Sequence, residues 1–485
     1  MLTKRQFYIN GAWVNPIRPR DHEVINSSTE EPCAVISLGD QADTDAAVAA
    51  AKAAFPAWAA TPPAERARLV AAILDQYNAR LQEFAESISM EMGAPIDFAL
   101  SDQAPCLPWH TRNFLKAFSQ IEWLRPLGPQ APGSAVMMEP IGVVGLITPW
   151  NWPVNQIALK AIPAMLAGCT CVLKPSEESP LNAMLFAKFC HDAGIPPGVF
   201  NLVNGDGAGV GTQLSTHADV EMISFTGSTR AGRAISKAAA ETLKRVTLEL
   251  GGKGANLLFA DADAKAVERS VRRMMENTGQ SCNAPSRLLV ERSVYDQTVV
   301  KAVQVAESIK VGPAHEPGPH IGPVVNKRQW DQIQAYIQKG IDEGARLVTG
   351  GTGLPEGFNR GFYVKPTIFA DVTPGMTIER EEIFGPVLCI IPFDSEADAI
   401  RIANDTPYGL TNYVQTGDPA RANRLGHALR SGMVEMNGKP RGAGSFFGGV
   451  KQSGRAREGG IWGLEEFLEA KAISGYDFGL EDAAE

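Results

Sequence analysis

Between residues 141 and 250, short apolar, β-branched runs alternate with stretches of helical period. The strand-like runs cover 141–147, 169–173, 200–203, 220–225 and 245–250, and the helical ones lie near 154–166, 180–193, 208–216 and 230–242. Strands separated by helices pair in parallel, and the helices then cover the sheet faces. This alternation predicts a doubly wound α/β domain whose ligands bind beyond the carboxyl ends of its strands. A second alternating series runs from about 252 to 445 and predicts a second α/β domain. Its helical candidates are 263–276, 294–309, 327–343, 395–404 and 418–430. Its strand candidates are 287–290, 346–348, 362–364, 387–391 and 432–436.

Upstream, residues 7–14 read as a β-hairpin, with Asn10-Gly11 supplying the positive φ angles of a tight turn. Residues 40–120 are Ala-rich with helical apolar stripes, such as Val48, Ala51, Phe55 and Trp58. The Pro/Gly-rich segment 123–140 interrupts the first domain as an excursion.

Composition excludes several function classes. A chain of 485 residues, 44% apolar and 20% charged, can bury more than one core. A net charge of −9 offers no attraction to nucleic acid or an anionic membrane. No apolar run approaches the ~18 residues of a membrane span. Met1-Leu2-Thr3-Lys4-Arg5 lacks the apolar segment of a secretory signal. Seven scattered cysteines fit a reducing cytoplasm better than a disulfide framework. Cys169 and Cys171 have no nearby His or second Cys pair to complete a zinc set, so they are read as part of a buried strand and no metal is expected.

Four constellations carry chemistry. In Phe225-Thr226-Gly227-Ser228-Thr229, a strand ends and a helix begins, so free amides and the Ser228 hydroxyl suit a phosphate; an ordinary capped helix explains the segment equally well. Lys174-Pro175-Ser176-Glu177 follows a strand where a ribose could lie, although a solvated loop is the simpler reading. Asn151, in Pro149-Trp150-Asn151-Trp152-Pro153, follows another strand and could donate to an oxyanion, or serve a Pro-delimited turn. Finally, Cys282 lies in the polar run Asn277-Thr278-Gly279-Gln280-Ser281-Cys282, and Glu249 closes a strand before Gly251-Gly252. A buried cysteine is ordinarily an inert small hydrophobe. A thiol with a polar approach and a carboxylate at a strand end suggest instead a nucleophile and a base.

These segments resemble the NAD(P)-dependent aldehyde dehydrogenase superfamily. The match includes Glu249-Leu250-Gly251-Gly252-Lys253 and Gly279-Gln280-Ser281-Cys282, then Glu381-Glu382-Ile383-Phe384-Gly385-Pro386 and Phe447-Gly448-Gly449-Val450-Lys451-Gln452-Ser453-Gly454. Together with the segments around Asn151, Lys174 and Gly227, they are collinear over nearly the whole chain.

The resemblance implies a Rossmann-like cofactor domain (1–122 and 141–250, with 448–467 returning to it). It also implies an α/β catalytic domain (251–447) and a small β oligomerisation element (123–140 and 468–485), in a homodimer or homotetramer. Cys282 would be the nucleophile, Glu249 the base for a deacylating water, and Asn151 an oxyanion donor. Lys160 and Glu458 would lie on a proton path. Lys174 and Glu177 would hold the adenosine ribose, Gly227 and Ser228 the pyrophosphate, and Glu382 and Phe384 the nicotinamide riboside. Glu177 favours NAD, with NADP still open.

Trp152 and Phe447 would form an aromatic wall for the aldehyde, and Arg441 could meet an anionic tail. The run Arg455-Ala456-Arg457-Glu458 departs from the family's Gly-Arg-Glu and questions that turn. The implied reaction converts an aldehyde to its acid through a Cys282 thiohemiacetal and thioester. A Cys-dependent esterase or thioesterase, or a non-catalytic structural protein on the same fold, remain the alternatives.

Overall fold

The computed structural model describes residues 1–479. The part of the proposed tail beyond residue 479 lies outside the described residues. The first sheet runs Arg245–Glu249, Met222–Thr226, Val143–Ile147, Thr170–Lys174, Phe200–Leu202, Phe7–Ile9, Ala12–Val14. Its first five strands are parallel, and the last two form the antiparallel hairpin. Asn10 and Gly11 take φ of 51° and 76° in the hairpin turn.

Register aligns the carboxyl ends of the first four strands. Glu249 pairs with Thr226, Phe225 with Ile147, and Ile147 with Lys174. The loops that follow therefore emerge side by side along one edge. Helix Pro153–Ala167 packs behind it with nearly every residue buried, because its sequence is apolar on all sides. Proline stands at its first position and Gly168, at φ 99°, ends it. Lys160 is the one charged residue within this largely apolar helix.

The second sheet runs Arg346–Thr349, Thr367–Ala370, Val387–Phe393, Arg287–Glu291, Ala255–Leu258, Thr411–Gln415, Met433–Met436. Only the first of these is antiparallel to its neighbour. Two central strands, Ala255–Leu258 and Thr411–Gln415, escape an apolar-run criterion because they bury polar side chains. Gln415 donates to Asn256 Oδ1 (3.2 Å), and Asn412 Oδ1 accepts from Ala255 N–H (3.0 Å). Conversely, 362–364 is not a strand. Phe362 and Val364 are buried by core packing, and the strand starts at Thr367, immediately after Pro366, which has no N–H to give a ladder.

A third, antiparallel sheet joins Leu124–Pro126, Ser134–Pro140 and Leu468–Ser474, leaving the last as an edge strand. Near the N-terminus, Leu2–Lys4, Glu31–Ser37 and Asp21–Asn26 form a small separate sheet. No helix among the described residues is long and apolar enough to cross a membrane.

Candidate active site

Cys282 opens into a cleft of about 820 Å³ lined from both large sheets. The loop before it is held in an unusual conformation. Asn277, Thr278 and Gly279 take φ of 50°, 55° and 70°, three left-handed residues in succession. At Gly279 a Cβ would lie 2.2 Å from the Gly385 carbonyl oxygen, so this turn admits only glycine. Thr278 Oγ1 donates to the Gly322 carbonyl (3.0 Å), and Val325 N–H donates to Gln280 Oε1 (2.9 Å). These bonds offset the backbone strain and aim the thiol.

Asn151 faces the same loop. Its Nδ2 donates to the Gln280 carbonyl at 2.9 Å, leaving a second amide proton. Its own carbonyl is clamped by Asn277 Nδ2 (2.9 Å) and Gln103 Nε2 (3.3 Å). The amide is thus oriented before any substrate arrives. Trp152 Nε1 donates to Ser281 Oγ (2.8 Å), tying the aromatic wall to the nucleophile loop.

Glu249 is 1% exposed, and its carboxylate has no side-chain hydrogen-bond partner among the described residues. It does not line the cleft itself; it lies behind Leu250 and Gly251, which do. Burial, then the nearby Glu458 charge, push its carboxyl well above the ordinary range, against Lys160 and Arg457. Lys160 is fully buried, ion-paired to Glu458, and donates to Thr226 Oγ1 (2.7 Å). Burial likewise raises Glu458, opposed by Lys160. Burial, then the Glu382 and Glu249 carboxylates, raise the Cys282 thiol. These surroundings favour the neutral thiol over the thiolate at Cys282.

The Arg455-Ala456 departure leaves this turn intact. Ala456 N–H donates to the Leu248 carbonyl (3.2 Å), and Ala456 is not among the positive-φ residues, so alanine fits without strain. Ser453, fully buried, receives Leu250 N–H on its carbonyl (2.9 Å) and donates from Oγ to the Gly251 carbonyl (2.7 Å). The C-terminal segment thereby closes over the strand that carries Glu249.

The cofactor candidates divide into two places. Gly227, Ser228, Glu382 and Phe384 line the cleft. Ser228 caps helix Thr229–Ala240, accepting from Ala231 N–H (3.2 Å). Glu382 accepts from Gly252 N–H (2.9 Å), and burial pushes its carboxyl up to about 7. Phe384 meets Trp150 edge-to-face at 5.5 Å. Lys174 and Glu177 pair with each other at 3.1 Å, one strand further along the edge, and do not line this cleft. The donor set fits an extended dinucleotide: a carboxylate–ammonium pair for hydroxyls, a helix start for phosphate, and a carboxylate with an aromatic wall near the thiol.

The substrate candidates Trp152, Phe447 and Arg441 line the cleft as well. Arg441 is not a free loop cation. Its guanidinium lies 4.9 Å from the Phe447 ring centre, and its Nε is 3.7 Å from Glu435 Oε1. Gln103, His110, Arg273 and Glu435 also belong to the site, and no motif in the sequence pointed to them. Both Gln103 and His110 come from the Ala-rich helical region, and only folding brings His110 to the cleft and buries Gln103 against Asn151 and Asn277.

The aldehyde dehydrogenase family model matches residues 13–473. A 3-succinoylsemialdehyde-pyridine dehydrogenase from Pseudomonas sp. is 49% identical over 98% of this chain and 100% of its own. Among solved structures, an aldehyde dehydrogenase from Bartonella henselae is 59% identical with TM-score 0.97, covering 98% of this chain and 100% of its own. A mutant of aldehyde dehydrogenase C from Pseudomonas syringae, complexed with NAD+ and octanal, is 47% identical with TM-score 0.96, covering 98% of this chain and 97% of its own.

Proposed function

The chain belongs to the aldehyde dehydrogenase family, and from that premise we propose how its residues carry out the reaction. It is an NAD-dependent aldehyde dehydrogenase, oxidising an aldehyde to its acid. One observation carries the residue assignments. Adjacent parallel strands deliver Glu249, Gly227 and Ser228, Asn151, and Lys174 with Glu177 to one edge, and of these Asn151, Gly227 and Ser228 line the cleft together with Cys282.

Cys282 attacks the aldehyde carbon, and its proton must leave for the thiolate to form. The Asn151 amide and the Cys282 N–H stabilise the alkoxide; one such donor lowers the barrier by about 3–4 kcal/mol. Glu382 and Phe384 would hold the nicotinamide riboside beside Cys282, where the ring would supply the acceptor for the hydride lost as the thiohemiacetal becomes the thioester. Glu249 then takes a proton from the water that frees the acid. Lys160 and Glu458 pass that proton onward and set the charge Glu249 experiences. Glu177 binds ribose hydroxyls and disfavours a 2′-phosphate, which makes NADP the weaker acceptor. A hydrolase or a non-catalytic protein needs neither Glu382 and Phe384 beside the thiol nor Lys174 and Glu177.

The test is an aldehyde panel with NAD+ and NADP+, read as reduced-nicotinamide absorbance. We expect aldehyde-dependent reduction with a higher kcat/KM for NAD+. Ester hydrolysis without nicotinamide reduction across the panel refutes the assignments.

The charge around Glu249 gives a pH prediction. Glu249 works as a base only when ionised, and the Glu458 charge raises its pKa. Glu458→Gln removes that anion and leaves Lys160 unopposed, and both changes favour ionised Glu249. The acid limb of the kcat–pH profile should move down by about one unit, whatever the amplitude. An upward shift would contradict the arrangement.

We also propose that strand Leu468–Ser474, an open sheet edge, pairs with another copy in a homodimer or homotetramer; light scattering reads the mass. The seven free cysteines fit a cytoplasmic enzyme, which cell fractionation checks.

A further inference from the structure

The far end of the cleft, away from Glu382 and Phe384, is built by the segments carrying Asp102, His110, Arg273, Glu276, Glu435 and Arg441. At first sight two arginines there offer a seat for an anionic aldehyde. Their surroundings say otherwise. Glu435 stands on strand Met433–Met436 with its side chain 11% exposed, paired to Arg441 at 3.7 Å. Burial pushes its carboxyl up while Arg273 and then Arg441 draw it down, so both cations act on this one carboxylate. Arg273 is also ion-paired to Glu276. Two carboxylates (Glu276, Glu435) thus meet two guanidiniums, and a third, Asp102, lines the same cleft without a guanidinium partner among the described residues. His110 adds no cation, because burial lowers its imidazole to about 4. One face of the Arg441 guanidinium is further covered by the Phe447 ring at 4.9 Å.

We propose that Glu435 is a specificity-determining residue: by neutralising Arg441 over Phe447, it makes this end of the cleft an aromatic slot that admits flat, uncharged aldehyde tails and turns away carboxylate-bearing ones. This rests on the aldehyde-oxidising reading above. A substrate carboxylate would have to displace Glu435 from Arg441 while facing Asp102 and Glu276. A neutral aromatic tail keeps every ion pair and adds apolar contact with Phe447 and Trp152.

The experiment compares 4-methylbenzaldehyde with 4-carboxybenzaldehyde, near-isosteric and differing in charge, at saturating NAD+. The readout is the ratio of their kcat/KM values within each protein, so a general loss of activity cancels. The native enzyme should favour the methyl compound by about tenfold or more, and Glu435→Gln should shrink that ratio by about tenfold, because Arg441 is then uncompensated. Arg441→Met should instead widen the ratio and favour (4-formylphenyl)trimethylammonium, since Glu435 is left unpaired. If Glu435→Gln does not fold, the Arg441→Met ratios decide alone.

A native preference for the carboxylate overturns the proposal. So does a ratio that Glu435→Gln moves less than about threefold, or an Arg441→Met enzyme that gains the carboxylate. Turnover of other aldehydes but of neither benzaldehyde overturns it as well. Absence of nicotinamide reduction with every aldehyde is a different result, and it strikes the assignments in the preceding subsection instead.

Discussion

Cys282→Ser should lose aldehyde-dependent NADH formation by about four orders of magnitude, in the first turnover as well as the steady state. A serine hydroxyl has nearly the same shape but is a far weaker acid, and the surroundings already resist an anion here. Burial, Glu382 and Glu249 raise even the thiol. Among the described residues no histidine is hydrogen-bonded to this position to remove a hydroxyl proton, and His110, in the same cleft, is bonded to Asn155 Oδ1 (2.7 Å). The loop is held by Thr278, Gln280 and Asn277, none of which uses the sulfur, so the variant should fold and bind NAD+ with unchanged affinity. Calorimetric titration with NAD+ alongside the rate separates lost chemistry from lost structure. Turnover above about a tenth of native would remove Cys282 from the nucleophile role.

Glu249→Gln should separate the two halves of the reaction. Acylation draws on Cys282 and Asn151, so one equivalent of NADH should still appear rapidly. Hydrolysis then stalls, and steady turnover should fall by about 10²–10⁴-fold. The glutamine amide has the volume of the carboxylate but cannot take a proton. It also removes a buried carboxyl with no side-chain partner, so the variant should melt no lower than native. Rapid-mix absorbance gives the burst, and intact mass spectrometry after quenching should find the acyl group on Cys282. Full steady turnover would dismiss Glu249 as the base, and loss of the burst would place it in the first half-reaction instead.

Strand–helix alternation over 141–250 was enough to read the first sheet, because each parallel strand there lies in a short, largely apolar run between helical stretches. The second domain was less legible. Its central strands Ala255–Leu258 and Thr411–Gln415 bury Asn256, Asn412 and Gln415, whose partners arrive only when the strands meet: Gln415 donates to Asn256, and Asn412 accepts from the Ala255 N–H. The apolar residues of 362–364 read as a strand for the opposite reason: they are buried without being paired. Apolar pattern reports burial, and burial coincides with pairing only where a sheet has no polar interior.

The candidate site divides in the same way. Cys282, Glu249, Asn151, Gly227 and Ser228 were readable because each sits at the end of a strand or in a turn whose residue types are locally demanded. The identity of the reaction came from collinear motifs, which the chain carries without any coordinates. Tertiary structure alone placed Gln103 and Asn277 on the Asn151 carbonyl, joined Lys160 to Glu458 across 298 positions, and closed Ser453 over the strand of Glu249. It alone gave Arg441 its half-buried partner, Glu435. Strand ends, turns and caps follow from short-range sterics and hydrogen bonding, which neighbouring residues determine. The charge of a site is a sum over groups distant in the chain, and its sign exists only once folding has brought them together.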